Sequence, residues 1–175
     1  MHGCVQRYSG KLNSPHYLTT YIVTMTDAYI MVGAPGAGKS THAKKLAETE
    51  NAVIISGDDV RAELYGSAEI QGNWFEIWDR IDELVSESNG MPIILDGTHY
   101  RKDYREEAIT LLRSYGYSKV EAIVMDASLA TCIARNFQRR ERNVPDYIVT
   151  AMHEKLQRSL ERIFEEDFDR IDFVY

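Results

Sequence analysis

The chain has 175 residues, of which 44% are hydrophobic and 27% are charged, proportions that are ordinary for one globular domain. Its 20 basic and 27 acidic residues give a net charge of −7, which argues against broad nonspecific binding to nucleic acid but not against a local basic site. Cys4 and Cys132 lie far apart without a CxxC partner, so we expect no disulfide framework or metal cluster, and a cytoplasmic location fits best. No stretch approaches the roughly 18 apolar residues of a membrane span, so no membrane partner is expected.

The amino-terminal residues differ from the rest of the chain. Residues 1–24 carry no apolar periodicity, and Met25-Thr26-Asp27 stands directly before the first apolar run. The sequence therefore predicts a flexible extension over residues 1–24 and a single domain over residues 25–175.

Apolar runs alternate with helical patterns along that domain. Strands are predicted over residues 28–32, 52–56, 92–96 and 120–126, with a short fifth over 171–174. Apolar residues at three- and four-residue spacing predict helices over 39–50, 59–65, 74–88, 102–115, 128–140 and 146–164. Apolar strands separated by helices are typical of an α/β fold, here a parallel sheet of four or five strands with helices on both faces.

Residues 33–40 read Gly-Ala-Pro-Gly-Ala-Gly-Lys-Ser, a complete G-x-x-x-x-G-K-[ST] motif between a predicted strand and a predicted helix. Its glycines let successive backbone N–H groups point at phosphate oxygens, and the helix adds the positive end of its dipole. We expect Lys39 to reach the β- and γ-phosphates and the Ser40 hydroxyl to ligate Mg²⁺. The predicted nucleotide-binding residues here are Gly33, Pro35, Gly36, Ala37, Gly38, Lys39, Ser40 and Thr41.

An acidic and a basic residue follow the second predicted strand, in Ser56-Gly57-Asp58-Asp59-Val60-Arg61. If a helix begins near Asp59, Asp58 lies at its cap and Arg61 about one turn on, so that both side chains face one cleft. Asp58 is then a general base for an acceptor hydroxyl, and Arg61 is a bidentate clamp for an acceptor phosphate. The alternative is that Asp58 is only a helix N-cap and Arg61 a solvated surface residue.

The third predicted strand ends at Asp96, followed by Gly97-Thr98-His99. An acidic residue at the end of an apolar strand is typical of a Walker-B-like arrangement, in which it holds Mg²⁺ or its water shell. Asp96 and Ser40 are therefore the predicted metal ligands. Asp96 could instead cap the helix near Lys102 or bind the acceptor. His99 has no second histidine or cysteine at metal spacing, so we expect a loop residue and not a ligand.

Four arginines, at positions 135, 139, 140 and 142, lie within eight residues shortly before Val144-Pro145. In an acidic protein this clustering indicates a polyanionic ligand, and it predicts a lid that closes over a triphosphate. The alternative is a solvated helix end whose basic residues favour the helix dipole.

Taken together, these motifs resemble the 5′-kinase domain of phage-type polynucleotide kinases in the P-loop kinase superfamily, over about residues 28–160. The resemblance implies a P-loop kinase fold with an arginine-bearing lid, and it implies ATP and Mg²⁺ as cofactors. It makes Asp58 the general base, Arg61 the acceptor-phosphate clamp and Arg139 the lid arginine at the transferred phosphoryl group. It also places Asp96 and Thr98 in the acceptor pocket and makes Arg135 a candidate for packing on adenine.

The function that this resemblance implies is transfer of the γ-phosphoryl group of ATP to the 5′-hydroxyl of a DNA or RNA end. Several alternatives use the same machinery, namely a kinase of a 5-hydroxymethyl pyrimidine within DNA, a small-molecule or nucleotide kinase, and a zeta-toxin-like sugar-nucleotide kinase. A nucleotide-binding switch without phosphotransfer is a further alternative, which the Asp58–Arg61 pair argues against because a switch needs no acceptor base. A homo-oligomeric state stays open.

Two tryptophans lie one helical turn apart, at Trp74 and Trp78. An aromatic pair at this spacing is commonly core packing. The alternative is a stacking platform for a nucleobase, and only the position of the pair relative to the cleft separates the two interpretations.

Overall fold

A computed structural model describes residues 27–139 and 144–175 of the chain. The predicted extension over residues 1–24 lies outside the described residues, as do Arg140 and Arg142 of the arginine-rich segment. In the described ranges, no helix is both long and apolar enough to cross a membrane.

Five parallel strands form the sheet, which confirms the predicted α/β architecture. They are β1 Asp27–Val32, β2 Val53–Ser56, β3 Ile93–Asp96, β4 Lys119–Met125 and β5 Arg170–Val174, in the spatial order β2-β3-β1-β4-β5. The central strand β1 pairs with β3 on one side and with β4 on the other. In such a sheet the chain changes direction next to β1, and ligands bind in the crevice at the carboxyl ends of the neighbouring strands.

In the part of the chain that the structure describes, six α-helices connect and cover these strands. They are α1 Lys39–Glu50, α2 Gly57–Tyr65, α3 Trp74–Glu87, α4 Lys102–Ser114, α5 Leu129–Phe137 and α6 Asp146–Leu160. A short 3₁₀ turn over Ile163–Glu165 follows α6. Helices therefore cover both faces of the sheet, as the sequence predicts.

Three predicted helix boundaries are wrong. Helix α2 begins at Gly57 and not near Asp59, because the Ser56 hydroxyl accepts hydrogen bonds from the N–H groups of Asp58 and Asp59 and so forms the N-cap. Helix α5 ends at Phe137 and not at residue 140. In its last turn the Asn136 side-chain amide forms hydrogen bonds with both backbone groups of Val144.

The third correction concerns α6, which stops at Leu160 and does not continue to residue 164. The 3₁₀ turn after it brings Glu166 into the interior, where the carboxylate accepts hydrogen bonds of 2.7 and 2.5 Å from the Arg105 guanidinium of α4. Both side chains are fully buried. This ion pair fixes the end of α6 against α4.

Alternate residues of β1 divide the core into two layers. Ala28, Ile30 and Val32 face a large cluster built with residues of α2 to α6, whereas Tyr29 and Met31 face a second cluster. Helix α1 covers that second cluster with apolar side chains that include Ala43 and Leu46. Because both faces of β1 are buried, its sequence is continuously apolar.

Candidate active site

The phosphate loop, residues 33–40, turns from β1 into α1 at the carboxyl edge of the sheet. Gly36 has φ +83°, and a Cβ atom there would lie 2.1 Å from the backbone oxygen of Cys132 in α5. Only glycine fits this close approach. The backbone of helix α5 therefore packs directly on the loop. This contact brings the carboxyl end of α5, with Arg135, to the phosphate loop.

Lys39 is the first residue of α1, and its side chain is buried. Its Nζ donates a hydrogen bond of 2.8 Å to the carbonyl oxygen of Ala34 in the same loop. The pKa of Lys39 is lowered to about 8, first by burial and then by the nearby Arg139, while Asp96 and Asp58 oppose the shift. The lysine is thus a poorly solvated cation that an anionic ligand would stabilise.

Ser40 and Asp96 come together beside this lysine. The Ser40 hydroxyl hydrogen-bonds the Asp96 carboxylate, which follows Leu95 at the end of β3. Burial raises the pKa of Asp96, and Asp58 and Asp59 raise it further. Asp96 does not cap α4, whose N-cap position is Arg101. The first of the two alternatives for Asp96, a helix cap, is therefore wrong.

These two oxygen donors fit Mg²⁺. In the described parts of the chain no cluster of three or more His, Cys, Asp and Glu side chains could hold a metal ion. Mg²⁺, however, commonly takes only one or two protein ligands and fills its octahedral shell with water and substrate phosphates. The Ser40 hydroxyl and the Asp96 carboxylate at the phosphate loop supply that kind of donor set.

Asp58 and Arg61 lie one turn apart at the start of α2 and form an ion pair. Arg61 Nη1 donates hydrogen bonds of 2.9 Å to Asp58 Oδ1 and 3.2 Å to the Gly57 carbonyl oxygen. The side chain of Arg61 is only 15% exposed, so the interpretation as a solvated surface residue is wrong. A guanidinium carries its donors in a planar fork, a geometry that matches the oxygens of a phosphate.

The segment after β3 is tied to the phosphate loop by its backbone. The Gly33 N–H donates a hydrogen bond of 2.9 Å to the Thr98 carbonyl oxygen. The next residue, His99, has φ +39°, and its Nδ1 donates a hydrogen bond of 2.8 Å to the Met31 carbonyl oxygen. Burial lowers the pKa of His99 to about 4, so the ring is neutral at pH 7. These hydrogen bonds fix the segment after β3 against β1 and the start of the phosphate loop.

The two described arginines of the predicted lid are Arg135 and Arg139. Arg135 Nη1 donates a hydrogen bond of 3.3 Å to the Ala37 carbonyl oxygen. Arg139 lies beyond the end of α5, is exposed, and is close enough to Lys39 to affect its pKa. Both side chains are therefore adjacent to the phosphate loop.

One cavity of about 870 Å³ joins these groups. It reaches from Lys39 and Ser40 past Asp96 to Asp58 and Arg61, and helices α3 and α6 form its outer walls. Its size lies in the range of substrate and cofactor sites. Arg139 and Thr98 also line it.

Comparison with known families identifies the domain. The model of the AAA domain family AAA_33 matches residues 29–163, which include every site residue described above. The chain belongs to this family. Among curated proteins, none matches the chain.

Solved structures show the same fold. A chain of the Pnkp1/Rnl/Hen1 RNA repair complex aligns with 89% of this chain at 23% identity and a TM-score of 0.71, over 49% of its own length. This chain therefore spans about half the length of that relative. A gluconokinase from Sinorhizobium meliloti 1021 aligns over 86% of this chain and 82% of its own, at 20% identity and a TM-score of 0.52.

A third similar structure is the Mycobacterium tuberculosis APS kinase CysC in complex with AMPPNP and APS. It aligns over 65% of this chain and 70% of its own, at 17% identity and a TM-score of 0.54. The family match and these folds support a P-loop phosphotransferase. The acceptors of the named relatives differ, so the fold leaves the acceptor open.

Several side chains of the cavity carry no signal in the sequence. Tyr104 of α4 stacks on Trp74 of α3, 30 positions earlier in the chain, and Tyr147 and Lys155 of α6 line the opposite wall. Tyr104, Tyr147 and Lys155 belong to no motif, whereas Trp74 belongs to the tryptophan pair that the sequence singles out. Their place in the cavity follows from tertiary packing alone.

Proposed function

We propose that this domain is an ATP-dependent kinase that transfers the γ-phosphoryl group to the 5′-hydroxyl of a DNA or RNA end. The observation that carries the proposal is the Asp58–Arg61 pair, which faces the same cavity as Lys39 and Ser40. A nucleotide-binding switch needs no carboxylate and guanidinium across from its phosphate site. A phosphotransferase with a phosphorylated acceptor needs both.

On the donor side, the loop N–H groups and the amino end of α1 bind the triphosphate. Lys39 leaves the Ala34 carbonyl oxygen and contacts the β- and γ-phosphates, where its charge stabilises the transition state. Ser40 and Asp96 would hold Mg²⁺, which neutralises phosphate charge. Arg135 packs beside the nucleotide, and Arg139 approaches the transferred phosphoryl group.

On the acceptor side, Asp58 takes the proton of the attacking hydroxyl as the bond to phosphorus forms. Arg61 binds the phosphate on the 3′ side of the terminal nucleotide through its planar guanidinium. The Arg61–Asp58 hydrogen bond thereby sets the distance between the acceptor phosphate and the base. Positioning of this kind is the main contribution a protein makes to phosphoryl transfer.

The proposal is tested with pairs of acceptors that differ only in the 3′-phosphate, a nucleoside and its 3′-monophosphate. Wild-type protein should prefer the phosphorylated member, and Arg61→Ala should lower kcat/KM for it by roughly 10–150-fold, because a charge-assisted contact contributes about 1.5–3 kcal/mol. The value of kcat/KM for the nucleoside should change little in Arg61→Ala. Arg61→Lys keeps the charge but not the planar fork, so its kcat/KM for the 3′-monophosphate should lie between those of the wild-type protein and Arg61→Ala.

Arg139→Ala is the matched comparison, since its proposed contact is with the transferred group and it should slow both acceptors alike. If the wild-type protein prefers sugars or nucleosides, and Arg61→Ala lowers kcat/KM equally for every acceptor, the proposal is wrong and a small-molecule kinase replaces it.

A further inference from the structure

Three aromatic rings form one wall of the cavity, which we call the aromatic wall: Trp78 and Trp74 of α3 and Tyr104 of α4. The ring centroids of Trp74 and Trp78 are 5.6 Å apart at an interplanar angle of 24°, and those of Trp74 and Tyr104 are 5.7 Å apart at 27°. All three side chains line the same cavity as Asp58 and Arg61.

Trp74 stands apart from the core, whereas Trp78 is partly buried and packs against the core cluster. The core-facing residues of α3 are Ile77, Ile81 and Val85, which are between 0% and 7% exposed. Trp74, by contrast, is 39% exposed. A tryptophan that served only packing would bury its large apolar surface, because that burial is what stabilises the fold.

Neighbouring side chains hold the wall in place. The Asn73 side chain caps α3, and the Tyr65 hydroxyl accepts a hydrogen bond of 3.0 Å from the Asn73 N–H. On the other side, the Arg101 guanidinium lies 4.6 Å from the centre of the Tyr104 ring. Tyr100 meets the same ring edge-on at 5.8 Å. A surface fixed in this way loses little conformational entropy when it binds.

We infer that the aromatic wall binds a nucleobase at the acceptor end, so that the substrate is a single-stranded end with unpaired, base-bearing nucleotides. The inference rests on the proposed function and adds to it the class of end. Aromatic side chains bind bases by contact with their π-faces, and a sugar acid or a simple sugar has no such face. In a blunt duplex the terminal bases are paired and stacked, so they reach the wall only after unpairing.

The chain supplies its own probe, because Trp74 and Trp78 are its only two tryptophans. The fluorescence experiment titrates a single-stranded 5′-hydroxyl tetranucleotide into the protein without ATP, and it repeats the titration with the same oligonucleotide made abasic at its first two positions. The base-bearing oligonucleotide should quench the tryptophan emission, since its bases contact the indole rings. The abasic one should leave the emission unchanged.

The kinetic experiment compares kcat/KM for the same two acceptors in variants. Trp74→Ala should lower the value for the base-bearing acceptor by about 5- to 150-fold, the range expected for one stacked base, and change the abasic acceptor little. Trp74→Phe should retain most of the activity. Phe75→Ala is the control, because Phe75 lies on the same helix, is 77% exposed and does not line the cavity.

Three results of the titration and of the variants would overturn the inference, and wild-type kinetics could give two more. The first is an equal change in tryptophan emission with both oligonucleotides. The second is an equal fall in kcat/KM for both acceptors in Trp74→Ala. The third is a fall in kcat/KM for the base-bearing acceptor in Phe75→Ala as large as that in Trp74→Ala. Wild-type protein that phosphorylates both oligonucleotides with the same kcat/KM also excludes a base contact but leaves the proposed function standing. Wild-type protein that phosphorylates neither oligonucleotide while it phosphorylates a sugar overturns both.

Discussion

Lys39 Nζ donates its hydrogen bond to the carbonyl oxygen of Ala34, at 2.8 Å, within the loop that would bind phosphate. The lysine is buried there, and burial lowers its pKa to about 8. Below that pH the folded protein holds a charged amine that the unfolded chain would solvate better, so the unliganded site costs stability. On the proposed function, a bound triphosphate would replace the carbonyl partner with anionic oxygens.

Lys39→Met should therefore stabilise the unliganded protein while it removes phosphotransfer. The methionine keeps the buried volume without the charge, so at pH 7 the free energy of unfolding should rise by roughly 1–3 kcal/mol, or about 2–12 °C in Tm. The rate should fall by at least about 10²-fold, because a transition-state contact is lost. Thermal melts and a kinase assay check both. Lys44→Met, at an exposed position of α1, should change neither, and a lower Tm in Lys39→Met would contradict the account.

Asp58→Asn should retain ATP binding and lose turnover, by about the 10²–10⁴-fold typical of a missing general base. The adjacent Asp59 is exposed in the same helical turn, so Asp59→Asn is a close control for charge and helix capping. We expect the control to keep near-wild-type kcat. ATP dissociation constants and steady-state rates decide between the roles. A variant that lost ATP affinity but not turnover would make Asp58 a loop-positioning residue.

His99 should make the stability of the domain depend on pH between about 6.5 and 4. Its folded pKa of about 4 lies below the usual 6.5, so in this window the unfolded chain binds the extra proton and stability falls as the pH falls. The loss should be on the order of 1–3 kcal/mol. His99→Asn tolerates the left-handed backbone and does not titrate, so it should weaken the dependence. Urea unfolding at several pH values measures it, and identical pH slopes would refute the assignment.

Removing one partner of the buried Arg105–Glu166 pair should destabilise the fold strongly, whereas replacing both partners should change the free energy of unfolding little. Arg105→Met leaves the Glu166 carboxylate charged in the interior, and we expect a loss of about 3–5 kcal/mol in the free energy of unfolding. Arg105→Met combined with Glu166→Leu should recover most of that loss. A double variant as unstable as the single one would show that the bonds of Arg105 to His99 and Ser159 matter more than the ion pair.

Much of the fold could be predicted because the signals for its elements lie in short, contiguous stretches of the sequence. The phosphate loop stands as one contiguous motif, and strands buried on both faces read as continuous apolar runs, so the five-stranded sheet follows from them. The first residue of α2 could not be predicted in this way, because Ser56 and Asp58 are equally good N-cap residues by type. Only the observed hydrogen bonds to the Ser56 hydroxyl choose between them.

The candidate site was predictable only where its residues sit in motifs at strand ends. Lys39, Ser40, Asp58, Arg61 and Asp96 all reach the one cavity for this reason. The aromatic wall depends on a contact between Trp74 and Tyr104, from helices separated by a strand, and no spacing rule joins them. The burial of the His99 ring against Met31 is likewise a tertiary event.

Mass analysis of a 5′-hydroxyl oligonucleotide after incubation with ATP, Mg²⁺ and this protein tests the central claim most directly. Gluconate and a nucleoside are assayed in parallel, with Lys39→Met as the inactive control. The account predicts that one phosphate is added to the oligonucleotide, at its 5′ end, with a higher kcat/KM than for either small acceptor. An unmodified oligonucleotide beside a phosphorylated gluconate or nucleoside would contradict it.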